Sequence, residues 1–114
     1  MTVRPVDLIC LCNRYRIRRI RKAAYVVVHA RKKNDGKYDE YAAVAGPSIL
    51  ANGGEIVVRG RAKVLAGESE HPMMVIAKFP NKEDAEKWYN SSEYQAIIPT
   101  REEAMDSVFF LGGD

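Results

Sequence analysis

Residues 79–101, FPNKEDAEKWYNSSEYQAIIPTR, hold the only tryptophan in the chain, two of its six tyrosines, and an arginine at helical spacing from apolar neighbours. Pro80-Asn81 stops the segment before it, and Asn81 is a suitable N-cap for KEDAEKWY, which carries Glu83 and Asp84 where the helix dipole favours acid. Ser91 or Ser92 can cap a second helical stretch. There Tyr94, Ile97, Ile98, Arg101 and Met105 recur at i, i+3, i+4, i+7 and i+11, the period of one helix face. Pro99 interrupts that stretch, because proline lacks an N–H and clashes one turn back, so the shared face is secure only as far as Ile98.

Working outward, MMVIAKF (73–79) reads as the strand leading in and SVFFLGG (107–113) as the strand that closes the chain. Upstream of the polar loop Glu68–Pro72, EIVVRGRAKVLAG (55–67) reads as another strand, continuing past a bend at Gly60 into a short third piece. Tyr38, Tyr41, Ala42, Ala45 and Ile49 form one face of an earlier helix, which Pro47 should kink or restart and Asn52-Gly53-Gly54 should end. AAYVVVHA (23–30) is a β-branched first strand, followed by the turn formers Asn34, Asp35 and Gly36. The order β-α-β-β-α-β predicts an α+β, ferredoxin-like βαββαβ sandwich: a four-stranded antiparallel sheet with helices on one face. Its strands carry apolar residues at alternate positions on both sides, Val26 and Val28 against Tyr25 and Val27, Val75 and Phe79 against Met74 and Ile76. An apolar bare face asks for cover, so a homodimer is expected.

With 46% hydrophobic and 29% charged residues, 114 residues make one ordinary globular domain rather than a disordered or membrane chain. The formal charge of +3 misleads: residues 1–22 hold six Arg and one Lys against one Asp, while residues 23–114 carry a net −3. The chain therefore divides into a basic N-terminal arm, 1–22, and a domain, 23–114, whose own charge gives no sign of nucleic-acid binding. The arm ends in RYRIRRIRK and reads either as a phosphate-binding tail or as a solvated extension, including one left by a start assigned too far upstream. Cys10 and Cys12 lie too close together for good disulfide geometry and lack a second pair for zinc, so they read as thiols. No apolar run approaches the ~20 residues of a membrane span, and no apolar core follows the positive charge as a signal peptide requires. The expected location is the cytoplasm. G-x-G-x-x-G, P-loop, H-E-x-x-H and nucleophile-elbow patterns are all missing, so no cofactor or metal is expected.

The chain resembles the bacterial family known as domain of unknown function 1330, within the dimeric α+β barrel superfamily. The resemblance covers about residues 24–113. Its carriers are Tyr38 and Tyr41, Gly53-Gly54, Arg59-Gly60, Phe79-Pro80, Ala85, Trp88-Tyr89, Ser92, Tyr94-Gln95 and Arg101. The family pattern usually has an acidic residue just before the glycine of the loop after strand two, where this chain has Ala66-Gly67 with Glu68 following. The resemblance implies a fold and a dimer and no established activity. Superfamily relatives include small monooxygenases, isomerases and haem-degrading proteins, which raises the expectation of a small-molecule pocket.

Arg101 is the most informative candidate. On an apolar face its guanidinium needs a partner: a ligand carboxylate or phosphate held bidentately, or an internal acid such as Glu40, Glu55 or Glu68, or solvent at the rim. Trp88, Tyr89 and Tyr94 supply apolar bulk with polar handles and either wall a ligand site or simply pack the core; Tyr41 joins them only if its helix face meets theirs, which the sequence does not show. Arg59 and Lys78 occupy strand positions expected on the same side as His29. His29 and Tyr41 are the weak catalytic candidates, His29 because its unperturbed pKa lies near neutrality, although neither His29 nor His71 has a partner at a recognised catalytic spacing. Three readings follow. The first is a small-molecule binder, with or without cofactor-free chemistry, in which Arg101, Trp88, Tyr94, Tyr41 and Arg59 contact the ligand. The second is a structural or regulatory homodimer with no catalytic site. The third is nonspecific RNA binding through the arm, since HPMMVIAKFP lacks the aromatic pattern that RNA-recognition sheets display.

Overall fold

Asn34, Asn81 and Ser91 each begin a helix in the same way: the side-chain oxygen accepts the backbone N–H three residues on, of Lys37 (2.9 Å), Asp84 (2.7 Å) and Tyr94 (3.2 Å). The computed structural model describes residues 23–113. In chain order the elements are β1 (Ala24–Lys32), α1 (Asp35–Ala51), β2 (Glu55–Arg61), β3 (Met73–Phe79), α2 (Lys82–Tyr89), α3 (Ser92–Ala104) and β4 (Met105–Gly113). The expected βαββαβ order holds, with the second helical segment divided by Asn90-Ser91 into α2 and α3. The arm and its two cysteines lie outside the described residues.

All strand pairs are antiparallel, in the order β2-β3-β1-β4. Val26 opposite Ala77 and Leu111, and Val28 opposite Val75 and Phe109, place those side chains on the helix-covered face. The intervening positions, Tyr25, Val27 and His29 on β1, face the other way beside Lys78, Ile76 and Met74 of β3. The core lies between α1–α3 and the first of these faces, where Phe79, Trp88 and Tyr94 are the largest fully buried side chains.

Both internal prolines are tolerated. Pro47 and Pro99 each lie inside a continuous helix, each exposed, and the residues one turn earlier, Ala43 and Gln95, are exposed as well. Solvent can reach the carbonyls that proline leaves without a partner, so α1 needs no restart at Pro47 and α3 carries its face through to Arg101. Three expectations need correction. β2 stops at Arg61 and there is no third piece through Gly67; beyond the strand, Ala62 N–H still reaches Pro72 O (2.7 Å), and the chain then loops out. Met105 begins β4, opposite Lys32, instead of ending the helix, because pairing with β1 claims it. A β-bulge between Ile56 and Val58 inserts Val57 as an extra residue, so Arg59 pairs with Val75 and points to the helix side while Lys78 points to the other, with Tyr25 and His29.

α1 is closed by Gly53, whose φ of +86° is the left-handed conformation that favours glycine, and the chain then passes tightly beneath the core at Gly54. A Cβ at Gly54 would stand 2.6 Å from Phe79 Cε2 and 2.9 Å from Ile49 Cγ2, whereas one at Gly46, inside α1, meets nothing within 4 Å. Gly54→Ala is therefore expected to destabilise by about 1–3 kcal/mol through overpacking. Gly46→Ala is expected to stabilise by about 0.5–1 kcal/mol through helix propensity. Urea melts of the two variants check both signs.

Candidate functional site

Trp88 reaches under α1, where its indole N–H donates to Ser48 Oγ at 2.9 Å, and Ser48 in turn donates to Ala45 O at 2.7 Å. Ser48 is polar and buried, seven residues after Tyr41 on the same helix face; a pattern of apolar residues passes over it, although the spacing alone would have found it. Around Trp88 the rings of Phe79, Tyr94 and Tyr89 lie at centroid distances of 5.6, 4.5 and 5.9 Å. Tyr41 stands edge-on to Tyr94 at 6.1 Å, and their hydroxyl oxygens are 2.8 Å apart.

Arg101 emerges on the outer side of this cluster. One guanidinium nitrogen donates to the hydroxyls of both Tyr89 and Tyr94, each at 3.1 Å, and the cation sits 4.8 Å from the centre of the Phe109 ring. Its carboxylate partner is the adjacent Glu102, at 3.1–3.2 Å, in place of Glu40, Glu55 or Glu68. Only 11% of the Arg101 side chain is exposed. Burial opposes the charge, but the tyrosine and Glu102 contacts outweigh it and hold the guanidinium above its ordinary range. Burial pushes the Tyr41 phenol far up, and the negative form of Tyr94 beside it would add to that. Tyr94 is also raised by burial, with bonds to Tyr41 and Arg101 pulling it part of the way back.

A cavity of about 60 Å³ lies between α1 and the sheet. Tyr41, Ala45 and Ile49 wall it from the helix, Val28 and Val75 from the sheet, and Trp88 closes one side. Arg59 and Ile56, both exposed, also line it, so the bulge in β2 brings one cation to an otherwise apolar space. Of the five expected ligand-contacting residues, Tyr41, Trp88 and Arg59 line this cavity, while Tyr94 and Arg101 stand behind Tyr41. His29 is on the opposite face of the sheet, its ring 5.9 Å from that of Phe110, and His71 is in the β2–β3 loop, where its N–H is bonded to Ser69 Oγ at 3.1 Å. A second cleft, about 290 Å³, lies at the edge formed by α2 and β4, among Ala85, Glu86, Trp88, Phe109 and Leu111. It is wider than the first, and Glu86 is its one charged residue. The first cavity has both a cation, Arg59, and a tyrosine, Tyr41, on its lining and is the better candidate for binding. Among the described residues, no group of three or more His, Cys, Asp or Glu is close enough to hold a metal ion.

These features define a ferredoxin-like α+β protein with an internal cavity between its helices and its sheet. Residues 23–112 match the family described as Domain of unknown function (DUF1330), and the chain belongs to that family. A protein of unknown function from Rhodopseudomonas palustris has the same fold, with a TM-score of 0.67 at 17% identity over 100% of this chain and 95% of the other. SnoaB, a cofactor-independent oxygenase from Streptomyces nogalater, superposes with a TM-score of 0.61 at 8% identity over 82% of this chain and 93% of its own. A dimeric ferredoxin-like protein of unknown function from Thermobifida fusca gives 0.57 at 10% identity, covering 81% and 91%. At these identities the likeness is one of fold. Among functionally curated proteins, no match was found.

The raised tyrosines give the fold an alkaline limit. Both phenols are held neutral when folded and would ionise near pH 10 when unfolded, so their contribution is complete below about pH 10. It is lost as pH rises further, because the unfolded chain then releases protons that the folded one keeps. The midpoint of urea unfolding should fall between pH 10 and 11.5, and Tyr41→Phe should flatten that fall; an equal slope in the variant would contradict the assignment.

Proposed function

We propose that this protein binds a small organic anion in the cavity between α1 and the sheet. The observation that carries this reading is that Arg59 and Tyr41 both line one otherwise apolar cavity. A cation there can receive a carboxylate, and the apolar walls of Val28, Ala45, Ile49 and Val75 suit a short hydrocarbon body. Four of the five N–H donors of Arg101 are engaged by Tyr89, Tyr94 and Glu102, and Arg101 does not line the cavity, so in this reading it positions the tyrosines and Arg59 meets the anion. At about 60 Å³ the cavity is smaller than the 300–1,000 Å³ usual for organic ligands, so a chain of several carbons extends past Ile56 and Arg59 toward solvent. SnoaB offers a parallel in which a protein of this fold is a cofactor-independent oxygenase. Chemistry without a cofactor is the corresponding extension here, and a cytoplasmic location belongs to the same reading.

Small carboxylates tested by thermal shift against the full chain check it. A ligand present at about a hundred times its dissociation constant adds ~2.7 kcal/mol, which raises the melting temperature by several degrees. The shift should disappear in Arg59→Ala while that variant's own melting temperature stays near the parent's. The small size of the cavity favours a second reading, a structural homodimer whose aromatics only pack. Absence of any shift across the carboxylates would select it.

A homodimer through the open face of the sheet is part of both readings. Tyr25, Val58, Val108 and Phe110 are 38–53% exposed there, with Val27, Met74 and Ile76 between them, a patch that monomers seldom leave to water. The description of the Thermobifida protein as dimeric points the same way. Sedimentation equilibrium at micromolar concentration should give a dimer for the parent and a folded monomer for Phe110→Glu. A monomeric parent would remove this proposal.

A further inference from the structure

The tyrosine pair has one more proton than its visible partners can accept. Arginine only donates, so the Tyr94 hydroxyl oxygen receives an N–H from Arg101 at 3.1 Å. Tyr94 and Tyr41 each own one hydroxyl proton, and the single 2.8 Å contact between them uses one of the two. The other has no acceptor among the described residues.

Where it sits follows from burial and charge. Tyr94 is 0% exposed and does not line the cavity, whereas Tyr41 does. A spare proton on Tyr94 would be sealed in the core beside the Arg101 cation, at the cost of an unsatisfied buried donor. With the opposite direction, Arg101 donates to Tyr94, Tyr94 donates to Tyr41, and the remaining O–H belongs to the residue on the cavity wall. Each bond polarises the next, so the guanidinium charge strengthens Tyr41 as a donor without entering the cavity.

We infer that Tyr41 is a hydrogen-bond donor to a carbonyl oxygen, and that the ligand is a small oxo acid whose carboxylate meets Arg59. This rests on the cavity reading above and adds the second functional group. Arg101 and Tyr94 are positioning residues: they set the direction of the chain and touch no ligand.

The test uses pentanoate, 2-oxopentanoate and 4-oxopentanoate in calorimetric titrations of the full chain, beside the proton position in the ligand-free protein. With ¹³C-labelled tyrosine, the protected hydroxyl proton should correlate with the Tyr94 ring, assigned by its loss in Tyr94→Phe. One of the oxo acids should bind about tenfold tighter than pentanoate, and Tyr41→Phe should erase that preference while still binding pentanoate. Arg101→Gln should reduce the preference and leave pentanoate affinity unchanged. A protected proton on Tyr41 overturns the inference even if Tyr41→Phe fails to fold. Equal binding of all three acids by the parent overturns it while leaving the cavity reading intact. Binding of none of them overturns both.

Discussion

Trp88 ties the helices to one another and to the sheet, and the rest of the molecule is arranged around it. Its ring is 2% exposed and contacts Phe79 at the end of β3, Tyr89 on its own helix and Tyr94 at the start of α3. Its one polar atom would be a buried donor without a partner, at a cost of about 1–3 kcal/mol, if Ser48 of α1 did not accept from it. That single bond spans 40 residues of sequence and fixes α1 against α2. Because α1 is held there, Tyr41 is placed opposite Tyr94, and the cavity keeps its shape between them and the sheet.

Charge in this core is handled by phenols rather than by carboxylates. Arg101 is mostly buried, and among the described residues its acid partner is the exposed Glu102 next to it in sequence. Two tyrosine oxygens take the inward-facing N–H groups, and the Phe109 ring lies against the cation. A carboxylate in the same position would carry its own desolvation cost, whereas a neutral phenol accepts the bond and passes polarisation on. The arrangement keeps a positive charge close to the cavity and leaves Arg59 as the cation on its lining.

The two faces of the sheet have different roles because β-strand side chains alternate. On the covered face, the small residues Ala24, Ala30 and Ala77 allow the helices to approach closely and the aromatic residues fill the space above them. On the open face, Val27, Ile76 and Phe110 have no such cover, and His29 belongs with them rather than with the cavity. A site with contributions from both His29 and Tyr41 is therefore ruled out within one chain by the sheet itself.

The sequence by itself determined the helix caps, the apolar helix faces, the order of elements along the chain and the packing of Trp88 and Tyr94 into the core. Those features follow from local chemistry: an Asn or Ser bonded three residues on, a period of 3.6, an alternation of two. Tertiary structure decided which side Arg59 faces, since one extra residue in β2 reverses it, and it drew Met105 into β4 by pairing with β1. It also decided the partner of Arg101. The apolar pattern shows that a guanidinium on that face needs acceptors, but Tyr89 and Tyr94 qualify only once Pro99 is absorbed into α3. The Tyr41–Tyr94 bond joins residues 53 positions apart, and no local rule reaches across that distance.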